Sequence, residues 1–375
     1  MKIVYCIQQI YGSGGMERVL ANKANYLSRN HDVTIITTDQ KSRAPFFKLS
    51  TDVTLVDLAI NYEDNQIRKS ILLKSICYFL NRIQHRRRLK KVLMQIKADV
   101  AVSMFNQELT ILPYINDGSK KVLEFHFCRG SYHFSKKNTS LINRFIGKAE
   151  AFIYKDCKHD YNAFVVLSEE DKASWVEYTN VYAIPNARSF SVDCPATLDA
   201  KRVLAVGRYL PIKGFERLIY AWQRVNQLFP DWTLSIVGEG PQRKCLQEII
   251  NNLGLTGSVT LEGVSHDIKR EYLSSSIFVM ASYNEGFPMT ILEAEAAGVP
   301  VVSFNCPCGP KDIIRDGQNG FLIENGDVDG LAEGIIRLIQ DDALRKEMGR
   351  KAYGNSKRFS ETSVMTQWEE LFHMI

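Results

Sequence analysis

The stretch EGFPMTILEAEAAGVP, residues 285–300, decides how this chain folds. It holds two glutamates, Glu285 and Glu293, with seven residues between them. Glu285 opens a Glu-Gly-Phe-Pro segment, and Gly and Pro so close together break regular structure. Glu293 falls in a run that reads as a helix from Met289 onward. The first N–H groups of that helix have no partner within it, and with the helix dipole they favour negative charge. Immediately upstream, IFVMAS (277–282) is a short apolar run that reads as a buried strand, and PVVSF (300–304) reads as the next one. The unit is strand, loop, helix, strand, with Glu285 in the loop at the carboxyl end of the first strand.

The same alternation extends in both directions. Upstream, RVLAVG (202–207), WTLSIVG (232–238) and SVTLEG (258–263) read as strands with helices between them. Before these, IPNARSFSVDCPATLDAK (184–201) carries two prolines and no period, which marks a linker between domains. Alternation resumes on its N-terminal side. KIVYCI (2–7), DVTIITT (32–38), VTLVDL (53–58), DVAVSM (99–104), KVLEFH (121–126) and AFVVLS (163–168) read as strands. GGMERVLANKANYLSRN (14–30) reads as a helix with Ser13 at its cap, and Ser168 with Asp171 resembles a capping box. The pattern predicts an α/β protein of two Rossmann-like domains facing across a cleft. The N-terminal domain spans 1–186 and the C-terminal domain 187–360, while 361–375 forms a helix that packs back on the first domain.

A length of 375 residues, 45% hydrophobic and 24% charged, suits two such cores. No signal-peptide pattern and no apolar run long enough to span a bilayer is evident. The eight cysteines are scattered, and only Cys306 and Cys308 are close-set, without a further pair to complete a zinc site, so free thiols and no metal are expected. Residues 1–186 hold 27 Lys and Arg against 18 Asp and Glu, a net +9, and the remainder hold 20 against 24, a net −4. A basic first half faces an anionic partner.

Ligands of open parallel sheets bind at the carboxyl ends of the strands, so the loops there hold the candidates. Arg208 and Lys213 follow the strand 202–207, in front of a helix beginning near Gly214, and two cations with a helix N-terminus suit a diphosphate. Glu239 follows 232–238. Val264 follows 258–263, with its backbone placed to contact a flat base. Gly286, Phe287, Pro288 and Thr290 surround the start of the helix that carries Glu293, and a carboxylate there suits the hydroxyls of a ribose. Gly14 and Gly15 follow the first strand, where they allow close approach of a ligand. They do not complete a Gly-x-Gly-x-x-Gly fingerprint, which argues against a nicotinamide-dependent oxidoreductase. His126 ends the strand 121–126 and is placed to hydrogen-bond a sugar.

This ensemble resembles the family 4 glycosyltransferases, retaining enzymes of the GT-B fold. The resemblance rests on GSGGMERVL, EFH, VLSEED, IPNA, VGRYLPIKGFERLI, VGEGP, SYNEGFPMTILEAEAAGVPVVSF and GPKDIIRDGQNGFLI, in family order along nearly the whole chain. It implies transfer of a hexose or N-acetylhexosamine from a nucleotide sugar, most simply UDP-linked. Glu285 would stand beside the donor sugar, Glu293 would hold the ribose, and Arg208 with Lys213 would neutralise the diphosphate. Gly14 and Gly15 would approach the phosphates and the acceptor, and His126 would reach the sugar. The resemblance implies a substrate rather than a cofactor, and no resident metal. The alternatives on the same fold are a non-catalytic partner subunit, an epimerase and a phosphorylase.

The segment 67–97 holds ten Lys or Arg and no acidic residue, with apolar positions at helical spacing. Arg86, Arg87, Arg88, Lys90 and Lys91 would face an anionic membrane surface. Together with the resemblance this predicts a glycan or polyprenyl-linked acceptor, no nucleic-acid partner, and a cytoplasmic protein peripheral at the inner face of the membrane.

Overall fold

The computed structural model describes residues 1–62, 71–129 and 158–375. Residues 67–70 of the basic segment and Cys157 lie outside them. The chain divides into two compact units, Met1–Ile184 with Met365–Ile375, and Pro185–Val364.

The first unit is built on β1 (Lys2–Ile7), β2 (Asp32–Thr37), β3 (Val53–Asp57), β4 (Val100–Ser103), β5 (Lys120–Glu124), β6 (Ala163–Val166) and β7 (Val181–Ala183). They pair in the order β3-β2-β1-β4-β5-β6-β7, and the registered pairs are parallel. β1, β4 and β6 are buried nearly throughout, which is why they read as continuous apolar runs rather than alternating ones. The helix Gly15–Leu27 is capped by Gly14, not Ser13, and without a side-chain hydrogen bond. Ser168 does cap the helix Glu169–Ala173, its Oγ accepting from the Asp171 N–H. β5 ends at Glu124, so His126 lies two residues beyond the strand rather than closing it.

The basic segment forms one long helix, Ile71–Ile96. Leu89 and Leu93 of its second half join the core. Its first half does not pack as the helical spacing predicts, because Ile76, Phe79 and Leu80 are exposed, Phe79 by 65%.

The second unit holds β8 (Arg202–Val206), β9 (Thr233–Val237), β10 (Val259–Gly263), β11 (Ile277–Met280), β12 (Val301–Phe304) and β13 (Gly320–Ile323). Their order is β10-β9-β8-β11-β12-β13, again parallel. The segment 184–201 is no loose tether. Val192 and Leu198 are buried, and the Ala196 N–H donates to the Ala297 carbonyl. The last helix, Glu361–Met374, belongs to the first unit from Met365 onward.

In both sheets the strand order reverses beside the first strand of the unit, between β1 and β4 and between β8 and β11. A crevice opens at such a point at the carboxyl ends of the strands. It collects the loops after β8 and β11, which carry Lys213 and Glu285.

Candidate functional site

The loop after β8 and the loop after β11 are stitched together by their own backbones. Tyr283 N–H donates to the Ile212 carbonyl at 2.8 Å. Gly214, the cap of the helix Phe215–Leu228, has φ +61°, and a Cβ there would lie 2.2 Å from the Ala281 carbonyl oxygen. Only glycine allows both that conformation and that approach. Arg217, one turn into this helix, is buried, donates to the Ala281 carbonyl, and lies with its guanidinium 3.6 Å from the Tyr283 ring centroid. The strand end that precedes Glu285 is thereby held in place.

On this frame Lys213 Nζ lies 2.7 Å from Glu285 Oε1, and Ser282 Oγ donates to the same oxygen at 2.6 Å. Behind the pair, Cys306 is buried, and burial with the neighbouring Glu285 charge pushes its thiol up to about 12. It is a free thiol that burial keeps unreactive, as it does the free thiol of Cys6. The following loop crosses over Gly286-Phe287-Pro288. Gly309, at φ +100°, would bring a Cβ to 2.5 Å from Pro288 Cδ. Phe287 turns its ring inward onto Phe359, with centroids 5.8 Å apart.

The helix Met289–Ala296 has Pro288 at its cap and no side-chain hydrogen bond there, so its first N–H groups remain available near Thr290. Glu293 is 2% exposed, and its two oxygens accept from Ser189 Oγ at 2.8 Å and Tyr272 OH at 3.0 Å. Arg208 is exposed and has no ion pair among the described residues. Glu239 is exposed and paired with Arg243 at 2.8 Å, and Val264 is 66% exposed just past β10.

The first unit carries the remaining candidates. Gly14 and Gly15 stand at the start of the helix after β1, and around Gly15 a Cβ would meet nothing within 4 Å. Neither has a positive φ, and at Gly14 it is the Glu17 carboxylate, 2.3 Å from where a Cβ would lie, that leaves no room for a side chain. Glu17 folds back over this end and accepts from Gln9 Nε2 at 2.9 Å. His126 Nε2 lies 3.0 Å from Glu124 Oε1, and Lys23 Nζ lies 2.5 Å from the same oxygen. Burial alone pushes the Glu124 carboxyl up, but Lys23 and His126 outweigh it and hold it at about 2. Arg86, Arg87, Arg88, Lys90 and Lys91 are all exposed, although Arg88 donates to the Leu58 and Ala59 carbonyls. No described helix is long and apolar enough to cross a membrane.

With this geometry in place, two family models account for most of the chain. The one described as Glycosyltransferase Family 4 matches residues 13–188, and the one described as Glycosyl transferases group 1 matches residues 193–355. The chain belongs to this glycosyltransferase family.

This glycosyltransferase is 29% identical to an uncharacterized glycosyltransferase of Haemophilus influenzae, over 98% of its own length and 99% of the relative's. It is 26% identical, over 99% and 98%, to a Campylobacter jejuni α-1,4-N-acetyl-D-galactosaminyltransferase named for a GalNAc-containing glycan on PP-undecaprenol. Among solved structures, TarM of S. aureus, in complex with fondaparinux, α-GlcNAc-glycerol and UDP, superposes with a TM-score of 0.78 at 17% identity, covering 99% of each chain. That likeness shows the fold, the GT-B α/β architecture that the resemblance implies. The sequence did not point to Ser282, Tyr272, Ser189, Lys23 or Glu124, which orient the candidate residues of the glycosyltransferase. Ser282 and Glu124 had a local signal, three residues before Glu285 and two before His126.

Proposed function

We propose that the protein is a retaining glycosyltransferase that moves a hexose or N-acetylhexosamine from a UDP-linked donor to a glycan or lipid-linked acceptor. The observation that carries this reading is the Lys213–Glu285 pair, 2.7 Å apart, where the strand order reverses beside β8. Breaking a sugar–phosphate bond leaves an electron-poor anomeric carbon and a diphosphate. Positive charge fixed at the diphosphate lowers that barrier. Lys213 and Arg208 are the cations in reach of the crevice, so they take the diphosphate. Glu285 stands beside the sugar. Glu293, oriented by Ser189 and Tyr272, receives the ribose hydroxyls. His126, held near Glu124, reaches the sugar. Charge neutralisation falls to side chains, and no resident metal or cofactor enters the scheme.

Retention follows from a front-face path. The acceptor hydroxyl attacks from the side on which the diphosphate leaves, and a departing phosphate oxygen takes its proton. The sugar–phosphate bond breaks as the new glycosidic bond forms, and the nucleoside diphosphate carries away the charge.

The acceptor is placed at an anionic membrane on the cytoplasmic side. The exposed apolar residues Ile76, Phe79 and Leu80 precede the exposed cations Arg86, Arg87, Lys90 and Lys91 on one helix. Such a helix suits the headgroup boundary. The relative named for an undecaprenyl-linked glycan supports a lipid-linked acceptor. The test is a thermal-shift screen of UDP-, GDP- and ADP-sugars, followed by product analysis on polyprenyl-linked glycans with the anomeric configuration read by NMR. Acceptor-dependent nucleotide release with retained configuration is the expected result. Inverted product, or nucleotide release indifferent to acceptor, overturns the reading.

A further inference from the structure

The second unit contains a cavity that the transfer reaction does not use. It has a volume of about 450 Å³ and is lined by Arg315, Gln318, Asn319, Lys351, Asn355 and Arg358, together with Gly354. That volume falls in the range of small-molecule sites. It shares no residue with the loops after β8 and β11. Its walls are the segment leading into β13, the end of the helix Asp342–Asn355 and the turn that follows.

The floor is rigid. Asn319 is buried, and its Oδ1 accepts from the Arg315 N–H at 2.7 Å, which closes the loop before β13. Three side chains meet on the Ile313 carbonyl: Asn355 Nδ2 at 2.9 Å, Arg358 Nη2 at 3.1 Å and Asn319 Nδ2 at 3.3 Å. Both carboxamides also donate to Glu295, which is fully buried beneath them. The Arg358 guanidinium is therefore fixed by Nη2, which leaves the N–H groups of its other nitrogens for a ligand.

The charge is not balanced locally. Among the described residues no carboxylate lines the cavity, while three cations do. Arg315 has no ion pair among the described residues. Lys351 reaches Glu347 at 3.2 Å, an exposed pair shared with Arg350 at 2.8 Å, and such pairs hold a side chain weakly. The acid beneath the floor does not supply the missing charge, because burial pushes the Glu295 carboxyl up to about 8 and leaves it mostly protonated at neutral pH. Three cations over a floor of amide groups call for a ligand with two or more negative charges and a polar body.

We propose that this cavity binds a phosphoryl group carried on a sugar or polyol, at a site separate from the transfer loops. A planar guanidinium takes two phosphoryl oxygens side by side, Arg315 and Lys351 close over the charge, and Gln318 with Asn355 meets the hydroxyls of the body. Two sources share this chemistry, a free sugar phosphate and a phosphodiester unit of a polymer.

The experiment is isothermal titration of the full chain with glucose 6-phosphate and, separately, with a glycerol-phosphate oligomer, at low salt and with UDP present in excess. The variant is Arg315→Gln/Lys351→Gln, which spares Arg358 and the buried floor. Saturable binding of either probe to the wild type, weakened about tenfold or more in the variant, supports the proposal. Binding of glucose 6-phosphate identifies a free sugar phosphate, and binding of the oligomer alone identifies a polymer. Absence of saturable binding of both probes, or equal binding by the variant, overturns it. UDP affinity is measured on both proteins and is expected to be equal. If UDP fails to bind either, the transfer reading fails, and the titrations repeated without UDP still decide the cavity.

Discussion

Replacing Lys23 with Met takes the ammonium partner from a buried carboxylate in the first unit. Lys23 and Glu124 are both almost wholly buried, 2.5 Å apart, and the Lys23 ammonium also lies 3.6 Å from the Trp368 ring centroid. Burial lowers the Lys23 value more than Glu124 raises it, while the Glu124 carboxyl is held down at about 2. A fall from 4.5 to about 2 corresponds to roughly 3 kcal/mol of linked stability. Removing one partner of a buried pair costs about 3–5 kcal/mol, and loss of the contact with Trp368 adds about 1 kcal/mol. Lys23→Met should therefore destabilise the first unit by roughly 4 kcal/mol, which is about a thousandfold loss of protection from exchange. Hydrogen exchange of the β1 and β5 peptides reads this directly. The sign with pH is fixed, because the folded value of Glu124 is depressed. Its contribution is fully present above about 4.5 and is lost as the pH falls toward about 2. The gap between wild type and variant should narrow across that window, and Lys23→Met/Glu124→Gln should recover most of the loss. A variant within about 1 kcal/mol of wild type at neutral pH, or a gap unchanged by acid, refutes the reasoning.

Arg208→Ala and Lys213→Ala should each lose about 2–4 kcal/mol of transition-state stabilisation, seen as turnover reduced by orders of magnitude with unchanged circular dichroism. Glu293→Gln should weaken binding of free UDP, whereas Glu285→Gln should depress transfer without weakening it; equal losses of UDP affinity in calorimetry would contradict these roles. The protein should co-sediment with anionic vesicles at low salt, each basic side chain contributing about 1 kcal/mol, and replacing Arg86, Arg87, Arg88, Lys90 and Lys91 with Gln should abolish this. The folded value of Glu295 is raised to about 8, so its contribution is present below about 4.5 and is lost as the pH rises through about 8; denaturation from pH 6 to 9 should show that loss in wild type and not in Glu295→Gln.

The central strands were legible because strands buried on both faces appear as continuous apolar runs. The strands that escaped are β7 and β13, which are three and four residues long and lie at the sheet edges. A run as short as GFLI after Gly-Gln-Asn has too few positions to show a period. The packing of the linker escaped for a related reason. Proline and small residues announce irregular backbone, but burial of Val192 and Leu198 depends on what that backbone meets. At the candidate site, Lys213 and Glu285 were legible because strand-end loops expose local composition. Tyr272 and Ser189, which hold Glu293, come from 21 and 104 residues away. Lys23 sits in ANKANYL, where a lysine looks solvated, and its partner is 101 residues distant. Such pairs exist only once the sheet has brought β5 beside the first helix.

The contact with Glu285 offsets the charge of Lys213 within the protein itself. A lysine about a quarter exposed next to a carboxylate about one-eighth exposed avoids most of the cost of an unpaired charge. The diphosphate must then compete with Glu285 for the same ammonium, while exposed Arg208 adds a second charge without a competitor. Under the proposed reading, arrival of the donor would turn Lys213 from carboxylate to phosphate and leave Glu285 facing the sugar, held by Ser282. The carboxylate therefore opposes nucleotide binding slightly and favours the electron-poor carbon that forms during transfer. Interactions that strengthen only in the transition state raise turnover rather than affinity. That ordering sets the direction for Glu285→Gln. Free UDP should bind as well as to wild type or better, since Lys213 loses its internal partner, while transfer falls. A drop in UDP affinity on removing that carboxylate would show that Glu285 holds the nucleotide rather than the sugar.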